Sequence, residues 1–393
     1  MRDSGTRGRM GALLCDTTLR LRWIARKEAG KNCREKANEA DEKGGAVIRF
    51  NNDYNQGAHP AVLEAIAQSN SESFPGYGTD DACREAAGLI RELTSAPDAA
   101  VHFLVGGTQT NCTLIGHGLR PWESAVSATC AHINVHETGA VERTGHKIET
   151  TCDVQGKLTA DTLREIAEAY RDSGVQEHIT KPRLAFISSP SEYGTIYRRS
   201  ELEELRAVCD QFGMYLVADG ARMAYGLGAG TADVTLADFA ELTDAFWIGG
   251  TKCGALFGEA LVVSNPALDE GFRASIKQNG ALLAKGWLLG VQFKALLENG
   301  LYFALGRKAD EQAMRIKGAF AAVGIPLLVD SPTNQQFAVL TEGEAAALGE
   351  RFLFEPEGTT AQGGRIARFC TSWSTTDGEV DALVTAVAKL GRR

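Results

Sequence analysis

Three stretches of this 393-residue chain hold residues whose types and spacing could do chemistry. The first is Gly106-Gly107-Thr108-Gln109-Thr110-Asn111, directly after the apolar run Val101–Val105. Two glycines permit a tight turn there. The free N–H groups and positive dipole end of a following helix would then suit a phosphate. The turn lacks a P-loop lysine and a full GxGxxG pattern, so nucleotide motifs fit poorly. Alone, it reads first as a plain strand–helix connection. The second stretch is Leu216-Val-Ala-Asp219-Gly220-Ala221-Arg222. A carboxylate at the carboxyl end of a buried strand sits where α/β proteins bind ligands. It could cap a helix, pair with a cation, or keep a pyridinium nitrogen protonated. Arg222 could fork onto a substrate carboxylate or form a salt bridge. The third stretch is Phe246-Trp-Ile-Gly249-Gly250-Thr251-Lys252-Cys253-Gly254. A lysine confined by glycines and a threonine can present its amine to an aldehyde, although most loop lysines are merely solvated.

The elements that must position these groups follow from periodicity. Val47–Phe50 reads as a short strand. Pro60 opens a helix at its first position, with Val62, Ile66 and Ala67 at helical spacing. A second helix begins at Asp80-Asp81, with Ala86, Leu89, Ile90 and Leu93 on one face. Strand-like runs at Val101–Val105, Ala125–Ala128, Leu184–Ser188, Met214–Ala218, Ala245–Ile248 and Ala260–Val263 then alternate with helical patterns such as 158–170 and 201–212. This alternation predicts an α/β fold with a mainly parallel, buried sheet. Helical patterns fill about 268–320, strand-like runs follow at Phe337–Leu340 and Arg365–Phe369, and a last helix is expected over about Asp377–Leu390. We therefore expect an N-terminal extension over 1–45, a large domain over 46–300 and a small α+β domain over 301–393.

Composition narrows the function classes. The net charge of −9 argues against a general nucleic-acid binder. The first 45 residues carry eleven Lys/Arg against seven Asp/Glu, unlike the acidic remainder. Met10–Leu14 is too short for a signal peptide, and Leu19–Ala25 could be a short strand or helix. A poorly ordered extension is expected there. Nine cysteines without a CxxC pair read as free thiols in a reducing, cytoplasmic setting. No apolar run reaches membrane-spanning length, and the seven histidines show no metal-ligand spacing with cysteines.

The order glycine–threonine turn, histidine-bearing segment, Asp219-Gly-Ala-Arg222 and Thr251-Lys252 resembles that of fold-type I pyridoxal-phosphate enzymes. The chain is most similar to the low-specificity threonine aldolase and β-eliminating lyase family, over roughly residues 47–390. The resemblance implies a seven-stranded-type sheet in a large domain and a small C-terminal domain. It also implies that Lys252 carries pyridoxal 5′-phosphate as a Schiff base and that Asp219 faces the pyridine nitrogen. Gly107, Thr108 and Gln109 would hold the phosphate, and His132 would stack on the cofactor face. Arg222 and Arg368 would surround the substrate carboxylate, and Thr333-Asn334 resembles a small-domain segment.

Departures fall around the substrate. The family's Arg-Ser-Asp-Thr is here Asn51-Asn52-Asp53-Tyr54, putting Asn52 at a carboxylate-contacting serine. His136 replaces an aromatic. Ser188-Ser189, with Glu192 beyond, replaces a Glu-Asn pair, and Gly280–Gly286 replaces a Met-Arg-Gln loop. The implied reaction is retro-aldol cleavage of a β-hydroxy-L-amino acid such as L-threonine or L-allo-threonine to glycine and an aldehyde. His132 or His136 is the candidate base. β-Elimination and transamination are the nearest alternatives. A nicotinamide-binding or non-catalytic α/β protein is the more distant one. The resemblance further implies a homodimer or homotetramer, to which Tyr77 and Lys285 would contribute across the interface.

Overall fold

The computed structural model describes residues 47–391; the expected extension over 1–45 lies outside the described residues. After the two-residue strand β1 (Ile48–Arg49), the strands β2 (Ala100–Leu104), β3 (Glu123–Ala128), β4 (Ile148–Thr151), β5 (Lys181–Ser188), β6 (Tyr215–Asp219), β7 (Ala245–Gly249) and β8 (Glu259–Val263) follow. β2 to β8 form one seven-stranded sheet in the order β2-β8-β7-β6-β5-β3-β4. All neighbours pair in parallel except β8, which is antiparallel to both β2 and β7. Every position of β3, β7 and β8 is buried, as continuous apolar strands covered on both faces require. β4 was not anticipated, because Ile148-Glu-Thr-Thr151 is a half-buried edge strand with no apolar run.

Helices cover the sheet by burying one stripe each. In Asp81–Thr94 the buried stripe is Cys83, Ala86, Ala87, Ile90 and Thr94. Leu93, expected on that face, is 36% exposed. Asp80 accepts the N–H of Cys83 at 2.8 Å and caps this helix.

A second apolar cluster marks a C-terminal unit. β9 (Gln335–Leu340), β10 (Phe352–Leu353), β11 (Glu355–Thr359) and β12 (Arg365–Cys370) follow in the chain, and β11-β12-β9 form an antiparallel sheet. Helix Asp377–Leu390 packs its Val380, Leu383 and Val387 into the same cluster. The 22-residue helix Leu301–Ala322 joins the two cores. Its Tyr302, Leu305 and Ala309 belong to the first, and its Ile316 and Phe320 to the second. β1 pairs in parallel with β10, and Phe50 is fully buried in the second cluster. The segment 47–50, read from the sequence as the start of the large domain, thus packs with the C-terminal unit. A strand of two residues has no pattern of its own, and its partner lies about 300 positions away.

Candidate active site

Parallel strands end on one edge of a sheet, so the turns after β2, β5, β6 and β7 converge. β8 runs the other way and brings its first residue, Glu259, to that edge, opposite Leu104 and Gly249. A cavity of about 310 Å³ opens there. Gly106, Gly107 and Thr108 line it from the β2 end, and Ser188, Pro190 and Glu192 from the β5 end. Asp219, Ala221 and Arg222 follow from β6, then Thr251, Lys252 and Phe257 from the loop after β7. Glu259, His132, Val105 and Tyr54 complete it.

The turns bearing Asp219 and Lys252 are pressed together. A Cβ at Gly220 would stand 1.8 Å from the carbonyl oxygen of Trp247, and one at Gly249 2.5 Å from that of Ala221. Only glycine fits either place. The loop carrying Lys252 is closed by Gly250 and Thr251 N–H groups donating to the Gly258 carbonyl at 2.9 and 3.1 Å. The Gly258 N–H donates to Thr251 Oγ1 at 3.0 Å, and the Tyr225 hydroxyl to the Lys252 carbonyl at 2.5 Å. These bonds hold the backbone while the half-buried Lys252 side chain faces the cavity. Asp219 is buried and accepts the Ala221 N–H at 2.8 Å. Burial pushes its carboxyl above the usual range, with Glu192 adding to the rise and the His132 and Lys252 charges opposing it.

His132 opens the short helix His132–Val135. Its Nδ1 meets the buried Glu137 Oε1 at 2.8 Å, and Asn111 Nδ2 donates to the same oxygen at 2.7 Å. Nε2 is the ring nitrogen left for the cavity. Burial would lower the histidine's pKa, but the bond to Glu137 and the charges of Glu192 and Asp219 hold it above the ordinary value. Glu192 accepts the Ser188 hydroxyl at 3.1 Å. Burial would raise its pKa, yet the charges of His132, Arg222, Lys252 and His136 hold it below the ordinary value.

Other expected site residues take different places. Arg222 lines the cavity, but its Nε and Nη2 donate to Asp53 Oδ2 and Oδ1 at 2.7 and 3.1 Å, which leaves Nη1. Gln109 is not in the lining. Its Oε1 accepts the Val105 N–H and its Nε2 donates to the Asn279 carbonyl, both at 3.3 Å, so it braces the glycine turn from behind. His136 lies outside the lining, on the surface, with its ring 5.5 Å from that of His132. Asn52 also lies outside it and accepts the Tyr54 N–H at 3.0 Å, shaping the turn that brings Tyr54 to the cavity. Arg368 Nη2 donates to the Asn51 carbonyl at 3.2 Å, and Nη1 meets Glu357 at 3.2 Å. Tyr77 lines a separate cavity beside Arg273 and Leu289, and Lys285 is exposed.

Comparison with known proteins fits this geometry. A family model described as beta-eliminating lyase matches residues 53–343, which span the cavity-lining positions above. The chain belongs to the beta-eliminating lyase family. It is 30% identical over 348 residues to the low specificity L-threonine aldolase of a Pseudomonas species, covering 86% of this chain and 96% of that one. The corresponding protein of Pseudomonas aeruginosa is 30% identical over 337 residues, covering 83% and 93%. The solved structure of Leishmania major threonine aldolase superposes with a TM-score of 0.84 at 43% identity, covering 87% of this chain and 99% of that one. A mutant aspartate aminotransferase from Thermus thermophilus, 14% identical, superposes at 0.70 over 92% and 96%, and shows the shared fold-type I architecture.

Beta-eliminating lyases and fold-type I aminotransferases use pyridoxal phosphate. The residues of this family member fit it. Helix Gly107–Gly118 starts at Gly106 without a side-chain cap, and nothing lies within 4 Å of a Cβ built at Gly106 or Gly107, which leaves room for a phosphate against the first-turn N–H groups. Burial disfavours the charge of Asp219, so a protonated ring nitrogen beside it would supply the counter-charge that restores the carboxylate. Two lining carboxyls, Glu192 and Glu259, had no role in the sequence reading. Glu259 had a signal: it is the one charge opening the apolar run Glu259–Val263.

Proposed function

We propose that this chain is a pyridoxal-phosphate-dependent carbon–carbon lyase that cleaves β-hydroxy-L-amino acids of the L-threonine type to glycine and an aldehyde. The observation that carries the reading is that Lys252, Asp219, His132 and the open Gly106-Gly107 turn share one cavity, in a chain akin to threonine aldolases. Bound pyridoxal phosphate supplies an electron sink for the pair left at Cα when the Cα–Cβ bond breaks.

The protein's own groups do the rest. Lys252 would anchor the cofactor through its amine. Asp219 would keep the ring nitrogen protonated, and the Gly107 and Thr108 N–H groups would hold the phosphate. Arg222, through Nη1, and Arg368 bind the substrate carboxylate and so fix which Cα bond is aligned for cleavage. His132, fixed by Glu137 at Nδ1, takes the β-hydroxyl proton at Nε2. The C–O bond then becomes a carbonyl as Cα–Cβ breaks, and a proton returned to Cα gives glycine. Glu192 keeps negative charge near His132 and stabilises its protonated form.

The enzyme is further proposed to work in the cytoplasm as a homo-oligomer. Cys83, Cys112, Cys130, Cys209, Cys253 and Cys370 are free thiols, which suits a reducing compartment. Tyr77, 44% exposed beside the second cavity, and the exposed Lys285 are the proposed contributors across the interface.

The test is direct. Purified protein given L-threonine should release acetaldehyde and glycine in equal amounts. α-Ketobutyrate and ammonia would indicate β-elimination instead. Lys252→Ala should abolish turnover and the borohydride-trapped cofactor adduct.

A further inference from the structure

Glu259 is 3% exposed, and its Oε2 has no hydrogen-bond partner. It lines the same cavity as Gly106, Gly107 and Thr108. The sheet register makes that placement rigid. Glu259 stands opposite Leu104, two residues before Gly106, and opposite Gly249, three residues before Lys252. A carboxyl without a full set of partners is thus fixed between the open glycine turn and the lysine loop.

We propose that Glu259, as a neutral carboxylic acid, donates a hydrogen bond to the phosphate of the bound cofactor. This rests on the pyridoxal-phosphate reading above. An ionised carboxylate here would repel a phosphate, whereas a protonated one supplies a further donor beside the Gly107 and Thr108 N–H groups. Burial raises the carboxyl to about 8, with Asp219 adding to the rise and the Thr251 hydroxyl and Lys252 charge opposing it. Cys253 and Tyr302 are the other titratable groups that feel its charge. A phosphate dianion alongside would lift it further, so binding and protonation reinforce one another.

The experiment uses 4′-deoxypyridoxine 5′-phosphate, which cannot condense with Lys252, and its dephosphorylated form. Affinities are read by tryptophan fluorescence between pH 7 and 9.5 on protein stripped of cofactor. For the natural protein, affinity for the phosphorylated ligand should fall at least about tenfold across this range, since each unit above the titration costs about tenfold. Glu259→Gln keeps a neutral donor and should flatten the profile to within about threefold. The dephosphorylated ligand should show no difference between the two proteins. Circular dichroism of Glu259→Gln, and its trapping of pyridoxal phosphate with borohydride, confirm a folded site. Equal pH profiles in the two proteins, or the same slope with the dephosphorylated ligand, would overturn the proposal. Failure of the natural protein to trap pyridoxal phosphate at Lys252 would overturn the cofactor reading itself, and the proposal with it.

Discussion

Arg222 and Asp53 form a buried two-point ion pair between the strand-end turn of the central sheet and the segment that leads out of the C-terminal core, at 2.7 and 3.1 Å. Asn334 joins them, donating to Asp53 at 3.0 Å and to the Thr371 carbonyl at 2.8 Å. The pair therefore ties the turn after β6 to the segment after β1 and, through Asn334, to the C-terminal unit, and it fixes the direction of Arg222.

Removing one partner of such a pair leaves a buried charge uncompensated. Asp53→Asn should destabilise the protein by about 3–5 kcal/mol, read from urea unfolding. The carboxyl of Asp53 is held down at about 2: burial alone would raise it, but the Arg222 and Lys252 charges and the hydrogen bonds from Arg222 and Asn334 win. A depressed carboxylate contributes stability above its unfolded pKa and loses it as pH falls through the folded one. The lock should thus hold unchanged from pH 5 upward and weaken only below about 3.8, toward 2.

Glu137 raises the pKa of His132. If neutral His132 accepts the hydroxyl proton, the acidic limb of kcat/KM lies above the ordinary histidine value. Activity is lost as pH falls and the ring becomes protonated. Glu137→Gln retains an acceptor for Nδ1 but removes the charge. Its acidic limb should move to lower pH, measured with L-threonine from pH 5 to 9. An unmoved limb would rule out this role.

Arg368 Nε is buried without a partner beside the Arg222–Asp53 pair. As a carboxylate ligand it should act mainly on binding. Arg368→Lys should raise KM for L-threonine about ten- to a hundredfold, the value of a charged hydrogen bond, with kcat changed less than about threefold.

Gly220→Ala should be poorly tolerated, because its Cβ would meet the Trp247 carbonyl at 1.8 Å. Overpacking of this kind costs about 1–3 kcal/mol or more. It would also part the Asp219 and Lys252 turns, so cofactor content should fall together with melting temperature.

The sequence by itself determined the chemistry-bearing order: the glycine turn, Asp219 and Lys252. The α/β alternation was legible with it, because buried parallel strands are long apolar runs and their carboxyl ends carry the ligand groups. It also determined the last helix, found at Asp377–Leu390. What only the tertiary structure decided depends on long-range pairing, which leaves no local period. β1 finds β10 some 300 residues away. Arg222 is turned from a free clamp into half of a lock by Asp53, 169 positions earlier. His132, rather than His136, reaches the cavity because a buried Glu137 holds its ring. In the central sheet, the reversed strand β8 carries Glu259 to the side of the Gly106-Gly107 turn because reversing a strand brings its first residue, not its last, to the working edge.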